Sequence, residues 1–196
     1  MPASTDSFEP VGSSDNASDG FANNTRSLAL NIRPAVTSDS EALSVLWRDT
    51  AETLTRLDRR LRLAPDGVMR WRTAFVVGLD RPDQHTVVAE RGRIVIGSMT
   101  GQINTNSPGF LPDQIGVISE LIVDSHGRGG GIGTQMYDLL SQWFAAHGVT
   151  IIEARVPATN PIAQAFWRAS GASDINHTLR LKPLKMVATP DETYPA

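Results

Sequence analysis

The stretch best suited to bind an anion is Arg128-Gly129-Gly130-Gly131-Ile132-Gly133, which follows an apolar run and precedes a helical repeat. With Gly127 it forms a segment almost without side chains, where backbone N–H groups can converge. A helix N-terminus offers free amides and the positive end of the peptide dipoles, and phosphate is its usual guest. The dipole contributes only about 0.3–1 kcal/mol. Each N–H bond to a charged oxygen contributes roughly 1.5–3 kcal/mol, so tight binding requires several amides to point inward. Just upstream, Glu120 is the single acid in the apolar run 117–123. A carboxylate in such a setting is a candidate general base.

Two familiar phosphate loops are excluded. A P-loop ends in Gly-Lys-Ser/Thr, and the first lysine of this chain is Lys182. The dinucleotide fingerprint needs a third Gly or Ala three residues after Gly-x-Gly, where the three frames here place Ile132, Thr134 and Met136. What remains is Arg-x-x-Gly-x-Gly after a strand.

That pattern resembles the pyrophosphate loop of the GNAT superfamily of acyl-CoA-dependent N-acetyltransferases. Downstream, Asn160 followed by Ala163, Phe166, Trp167 and Gly171 is similar to the second signature of that family, and Ile32-Arg33-Pro34-Ala35 resembles its usual start. The resemblance covers residues 28–183. It implies acetyl-CoA as cosubstrate, no metal, direct transfer to a primary amine of a small-molecule acceptor, and frequent pairing into homodimers. It also implies an α/β fold with a central twisted mixed sheet, whose fourth and fifth strands splay apart between flanking helices. In that frame the backbone of Leu121, Ile122 and Val123 would hold the pantetheine arm. The amides of Arg128, Gly129, Gly130, Gly131, Ile132, Gly133 and Thr134 would hold the pyrophosphate, with the Arg128 guanidinium adding donors. Asn160 and Phe166 are the downstream cofactor contacts, although Asn160 also fits a plain N-cap and Phe166 a core position. Glu120 falls near the family's glutamate base. Trp167 stands where the family has a tyrosine that protonates the leaving thiolate, a role an indole does not fill.

An ordinary glutamate and an alkylamine differ by about six pKa units, roughly 8 kcal/mol. Glu120 can serve as a base only if burial raises it or if proton loss is concerted with attack. Two rivals to a small-molecule transferase stay open. One is an acyl-CoA-binding module without turnover, suggested by Trp167. The other is transfer to a protein N-terminus or lysine.

The positioning elements follow from periodicity. Residues 28–34 alternate and end in Pro, as an edge strand does. Ser38 with Glu41 reads as a capping box for a helix bearing Leu43, Leu46, Trp47, Thr50, Leu54 and Leu57. A second helix is expected over 68–79, then strands over 86–90 and 94–99 joined by Arg91-Gly92-Arg93. The 116–125 strand leads through the glycine loop to a helix with Ile132, Met136, Leu139, Leu140, Trp143 and Phe144 on one stripe. Another strand is expected over 149–156. The helix after Pro161 should bury Ile162, Ala165, Phe166 and Ala169. Residues 177–181 alternate as a terminal strand, completing the order β–α–α–β–β–β–α–β–α–β.

The 196 residues suffice for one domain over 28–183, between a flexible 1–27 segment, poor in large apolar residues, and a 184–196 tail. Net charge is −3 with pI about 5.8, which argues against nucleic acid as partner. Cysteine is absent, removing thiol nucleophiles and disulfides, and the four histidines lack metal-ligand spacing. No apolar run is long enough to span a membrane and no leader pattern opens the chain. The expectation is a cytoplasmic enzyme of bacterial type.

Overall fold

The computed structural model describes residues 29–181 apart from His126, Arg128 and Gly129. The 1–27 segment, the 184–196 tail, and the candidates Arg128 and Gly129 lie outside the described residues. Five strands form one sheet in the order β1-β2-β3-β4-β5: β1 Leu30–Pro34, β2 Gln84–Arg91, β3 Ile94–Thr105, β4 Gln114–Val123 and β5 Ile152–Ala154. The helices are α1 Ser40–Leu57, α2 Gly67–Leu79, α3 Ile132–Ala146 and α4 Pro161–Ala169. Neighbouring strands run antiparallel up to β4, and β5 lies parallel to β4. Local chemistry explains the joins. Gly92 and Arg93 take φ of 55° and 70°, so β2 and β3 meet in a two-residue turn with both central residues left-handed. The parallel β4–β5 pair needs a crossover, which α3 supplies.

Each face of the sheet is covered by a helix layer. On one side Ile132, Met136, Leu140 and Phe144 of α3 are buried together with Val87, Met99 and Ile118. Each large side chain so buried contributes roughly 1.5–3 kcal/mol. Gly101 and Gly116 make this packing possible, since a Cβ on either would stand 2.6 or 2.7 Å from the Phe144 ring. On the other side α1 and α2 bury Leu43 and Phe75 against Val88. Arg33 ties β1 to the start of α1. Its guanidinium forms a two-bond fork with the buried Asp39 at 2.8 Å each, and also donates to Glu90 at 2.9 Å.

Three local expectations are corrected. Helix α1 does not open on a Ser38–Glu41 box; a 3₁₀ turn over Thr37–Asp39 precedes it. Asp39 accepts the Val36 N–H and the Arg33 fork there, which fixes the entry more strongly than a serine hydroxyl would. On α4 the buried face is rotated. Trp167 is 7% exposed whereas Ile162 is 61% exposed, because Trp167 enters the core against the edge of Tyr137 and carries the helix phase with it. The expected strand at 177–181 is missing: its residues are exposed and have no ladder partners, Leu179 and Leu181 included. Alternation alone does not make a strand when no edge pairs with it.

Candidate active site

β4 and β5 bond only over Gly116–Ile118 and Ile152–Ala154, and the last contact is Arg155 N–H to the Ile118 carbonyl at 3.0 Å. Beyond Ile118 the two strands part, and the splayed pair expected from the resemblance is present. Against β3 the ladder continues, with Asp124 N–H donating to the Ile96 carbonyl at 2.8 Å. Backbone groups alternate sides along a strand. Counting back from Asp124, Ile122 turns its N–H and C=O toward β3, while Leu121 and Val123 turn theirs toward the gap. Two of the three pantetheine candidates therefore offer backbone to an incoming chain, and Ile122 is held within the sheet with its side chain buried.

At the mouth of the gap α3 begins. Its first intrahelical bond is Gln135 N–H to the Gly131 carbonyl, so the amides of Ile132, Gly133 and Thr134 have no partner within the helix. The cap residue is Gly131 at φ 72°, which supplies no side chain to occupy them, and the first turn contains no acid. Gly130 is also left-handed at φ 65°. An open N-terminus of this kind suits a diphosphate, and the residues present thus fit coenzyme A. Phe166 supports this turn from below: a Cβ on Gly133 would lie 2.8 Å from its ring. Asn160 acts as the N-cap of α4, its Oδ1 accepting from Ala163 N–H at 3.1 Å.

The base candidate sits where the sheet is irregular. Thr100 pairs with Glu120 but Gly101 pairs with Ile118, so Ser119 is an extra residue in β4. Such bulges re-aim neighbouring side chains. Glu120 points to the α1–α2 side, where Trp71 Nε1 donates to its two carboxylate oxygens at 3.0 and 3.2 Å. Trp47 stacks on Trp71 at 5.7 Å, and Trp71 stacks in turn on Phe75 at 5.4 Å. Burial pushes the Glu120 carboxyl up to about 7, against the opposing pull of the Trp71 and Trp47 hydrogen bonds. The carboxyl lines a cleft of about 250 Å³ together with Trp71, Phe75, Gln84, Gln102 and Ser119.

Sequence reasoning singled out Glu120 and the loop as candidates but not the indoles, the bulge or the Gln84 and Gln102 side chains of the cleft lining. Trp71 and Phe75 stand four apart on α2 and Trp47 stands on the apolar stripe of α1, which marks aromatics meeting across two helices but not the strand they face. Trp167, outside the buried stripe expected from the sequence, is a packed core residue.

Similarity to known proteins agrees with this geometry. The family model for the acetyltransferase (GNAT) family matches residues 43–172, about two thirds of the chain. None of the curated proteins matches it. Among solved structures, a mutant of the BH1408 protein from Bacillus halodurans is 23% identical with a TM-score of 0.71, over 79% of this chain and 99% of that one. The aminoglycoside 6'-N-acetyltransferase AAC(6')-Ih from Acinetobacter baumannii is 16% identical with a TM-score of 0.64, over 79% and 98%. The aminoglycoside N-acetyltransferase AAC(6')-Iy, solved in complex with CoA, is 15% identical with a TM-score of 0.63, over 82% and 98%. At these identities the structures speak for the fold, and the family model carries the assignment. The chain belongs to the acetyltransferase (GNAT) family and is an acyltransferase that uses acetyl-CoA.

Proposed function

We propose that this enzyme transfers an acetyl group from acetyl-CoA to the primary amine of a small molecule by direct attack, with Glu120 as general base. The observation that carries the proposal is the Glu120 carboxyl, raised to about 7 by burial and facing a cleft on the α2 side of the sheet. Acetyl-CoA supplies the acetyl group as a thioester when bound. The backbone of Leu121 and Val123 would hold its arm, and the amides of Ile132, Gly133 and Thr134 its diphosphate. Glu120 takes the proton that the amine gives up as the amide bond forms. At about 7 its mismatch with an alkylamine shrinks from about six pKa units to about three, roughly 5 kcal/mol, which concerted proton loss can cover. Since Trp167 is buried, the departing thiolate takes its proton from solvent, as a thiol of pKa near 8.5 can.

A cleft of about 250 Å³ roofed by α2 admits a slender amine arm, as a small acceptor offers. Aminoglycosides, the substrates named for two of the structural neighbours, belong in the first acceptor panel. The test is thiol release at saturating acetyl-CoA over alkylamines, diamines, amino alcohols and aminoglycosides, with product mass as confirmation. Release with an acetylated product supports the proposal. CoA binding with no release for any amine would favour the acyl-CoA-binding alternative that Trp167 suggests.

A further inference from the structure

We infer that the side-chain amides of Gln84 and Gln102 form the acceptor-selecting wall of the Glu120 cleft, favouring amines with a neutral hydrogen-bonding group, a hydroxyl or carboxamide, over amines with a carboxylate. The inference rests on the transferase reading of that cleft. Gln84 and Gln102 are directly opposed across β2 and β3, and Gln102 Nε2 donates to Gln84 Oε1 at 2.9 Å. One rung further, the Thr86 and Thr100 hydroxyls meet at 3.0 Å, and Thr100 is the cross-strand partner of Glu120. A polar strip thus runs across a sheet face that elsewhere packs Val88 against Leu43 and Phe75.

Polar groups on a helix-covered sheet face are unfavourable unless they are hydrogen-bonded. A glutamine amide has two donor hydrogens and a carbonyl with two acceptor sites. The mutual bond uses one hydrogen of Gln102 and one lone pair of Gln84, and with Gln84 Nε2 packed on Gly78 it is the second Gln102 hydrogen, the Gln102 Oε1 and the second Gln84 lone pair that remain for a ligand with one donor and one acceptor. Gly78 on α2 holds this arrangement open, because a Cβ there would stand 2.0 Å from Gln84 Nε2. Glycine inside a helix is otherwise unfavourable, and seating the amide accounts for it. None of the residues lining the cleft is cationic, and Glu120 is its one acid, so an acceptor carboxylate would enter unpaired beside like charge. Gln102 stands two residues along β3 from Thr100, the partner of Glu120, and such diagonal cross-strand neighbours lie roughly 7–8 Å apart, which sets the polar group about five or six bonds from the reacting amine.

The experiment compares 5-aminopentan-1-ol, n-hexylamine and 5-aminopentanoate on the full chain. Each is measured for kcat/KM by thiol release and for Kd by tryptophan fluorescence with CoA present. The expected result is at least about tenfold preference for the alcohol over the alkylamine, with the amino acid weakest. Gln102→Met, which keeps the side-chain length, and Gly78→Ala, which removes no polar group, should each bring the alcohol-to-alkylamine ratio to within about twofold of one. A wild-type ratio near one, or a ratio unchanged in both variants, would overturn the inference. If no amine is acetylated but the Kd ratios behave as described, the selecting wall stands and the transferase reading falls. Equal turnover of alcohol and alkylamine removes the wall and leaves the transferase.

Discussion

The indole N–H of Trp71 donates to both carboxylate oxygens of Glu120, at 3.0 and 3.2 Å, from a helix 49 residues away in sequence. The hydrogen bond favours the charged carboxylate while burial opposes it, and burial wins. Trp71→Phe keeps the stacked ring and deletes the donor, so the Glu120 pKa should rise further. A bond to a charged group contributes about 1.5–3 kcal/mol, or about one to two pKa units. The rising limb of kcat/KM against pH should therefore sit near 7 in the wild type and move about one unit or more toward alkaline pH in the variant. An unmoved limb would mean that another group titrates.

Glu120→Gln should lower kcat by about 10²–10⁴ while leaving CoA affinity within about twofold, as removal of a general base does. It should also stabilise the fold in a definite pH window. Because the folded-state pKa is raised, stability from this group is fully present below the unfolded value and is lost as pH rises toward about 7. The melting temperature of the variant should overtake that of the wild type between about pH 4.5 and 7 and then run parallel, with a gain of about 3 kcal/mol at most. Melts of both proteins from pH 4 to 9 check the sign.

The Arg33–Asp39 fork predicts the opposite acid behaviour. Burial pushes the Asp39 carboxyl up, but the Arg33 donors and the Val36 N–H outweigh it and hold the pKa below its usual value. Its stabilising contribution is present above the unfolded value of about 3.9 and disappears as pH falls through the lower folded value. Asp39→Asn should destabilise by about 1.5–3 kcal/mol at neutral pH, since Arg33 loses its charged fork but keeps Glu90 as a partner. That deficit should shrink below about pH 4 in denaturant titrations.

Gly133→Ala should weaken CoA binding by about tenfold without abolishing folding. The added methyl meets the Phe166 ring at 2.8 Å and shifts the first turn of α3, where overpacking costs about 1–3 kcal/mol. Calorimetry with CoA measures it, and a second substitution, Phe166→Leu, should recover part of the loss.

Long periodic segments were legible in the sequence, as α3 shows: Ile132, Met136, Leu140 and Phe144 were assigned to one stripe and all four are buried. The glycine loop was legible because few structures tolerate so many backbone-only positions before a helix. The phase of α4 was not, since Phe166 against Gly133 and Trp167 against Tyr137 are contacts between distant segments. The surroundings of Glu120 were hidden for the same reason. A one-residue bulge at Ser119 decides where its carboxylate points, and local pattern carries no trace of it. The Gln84–Gln102 pair depended on strand register, which a hairpin turn sets only once its partners are known.

The most direct test is an NMR titration of carbonyl-labelled glutamate, with the Glu120 carboxyl assigned by its absence in Glu120→Gln. A midpoint near 7 in the wild type, moving upward in Trp71→Phe, is what the account predicts. A midpoint near the ordinary glutamate value of about 4.3, unchanged by Trp71→Phe, would contradict it.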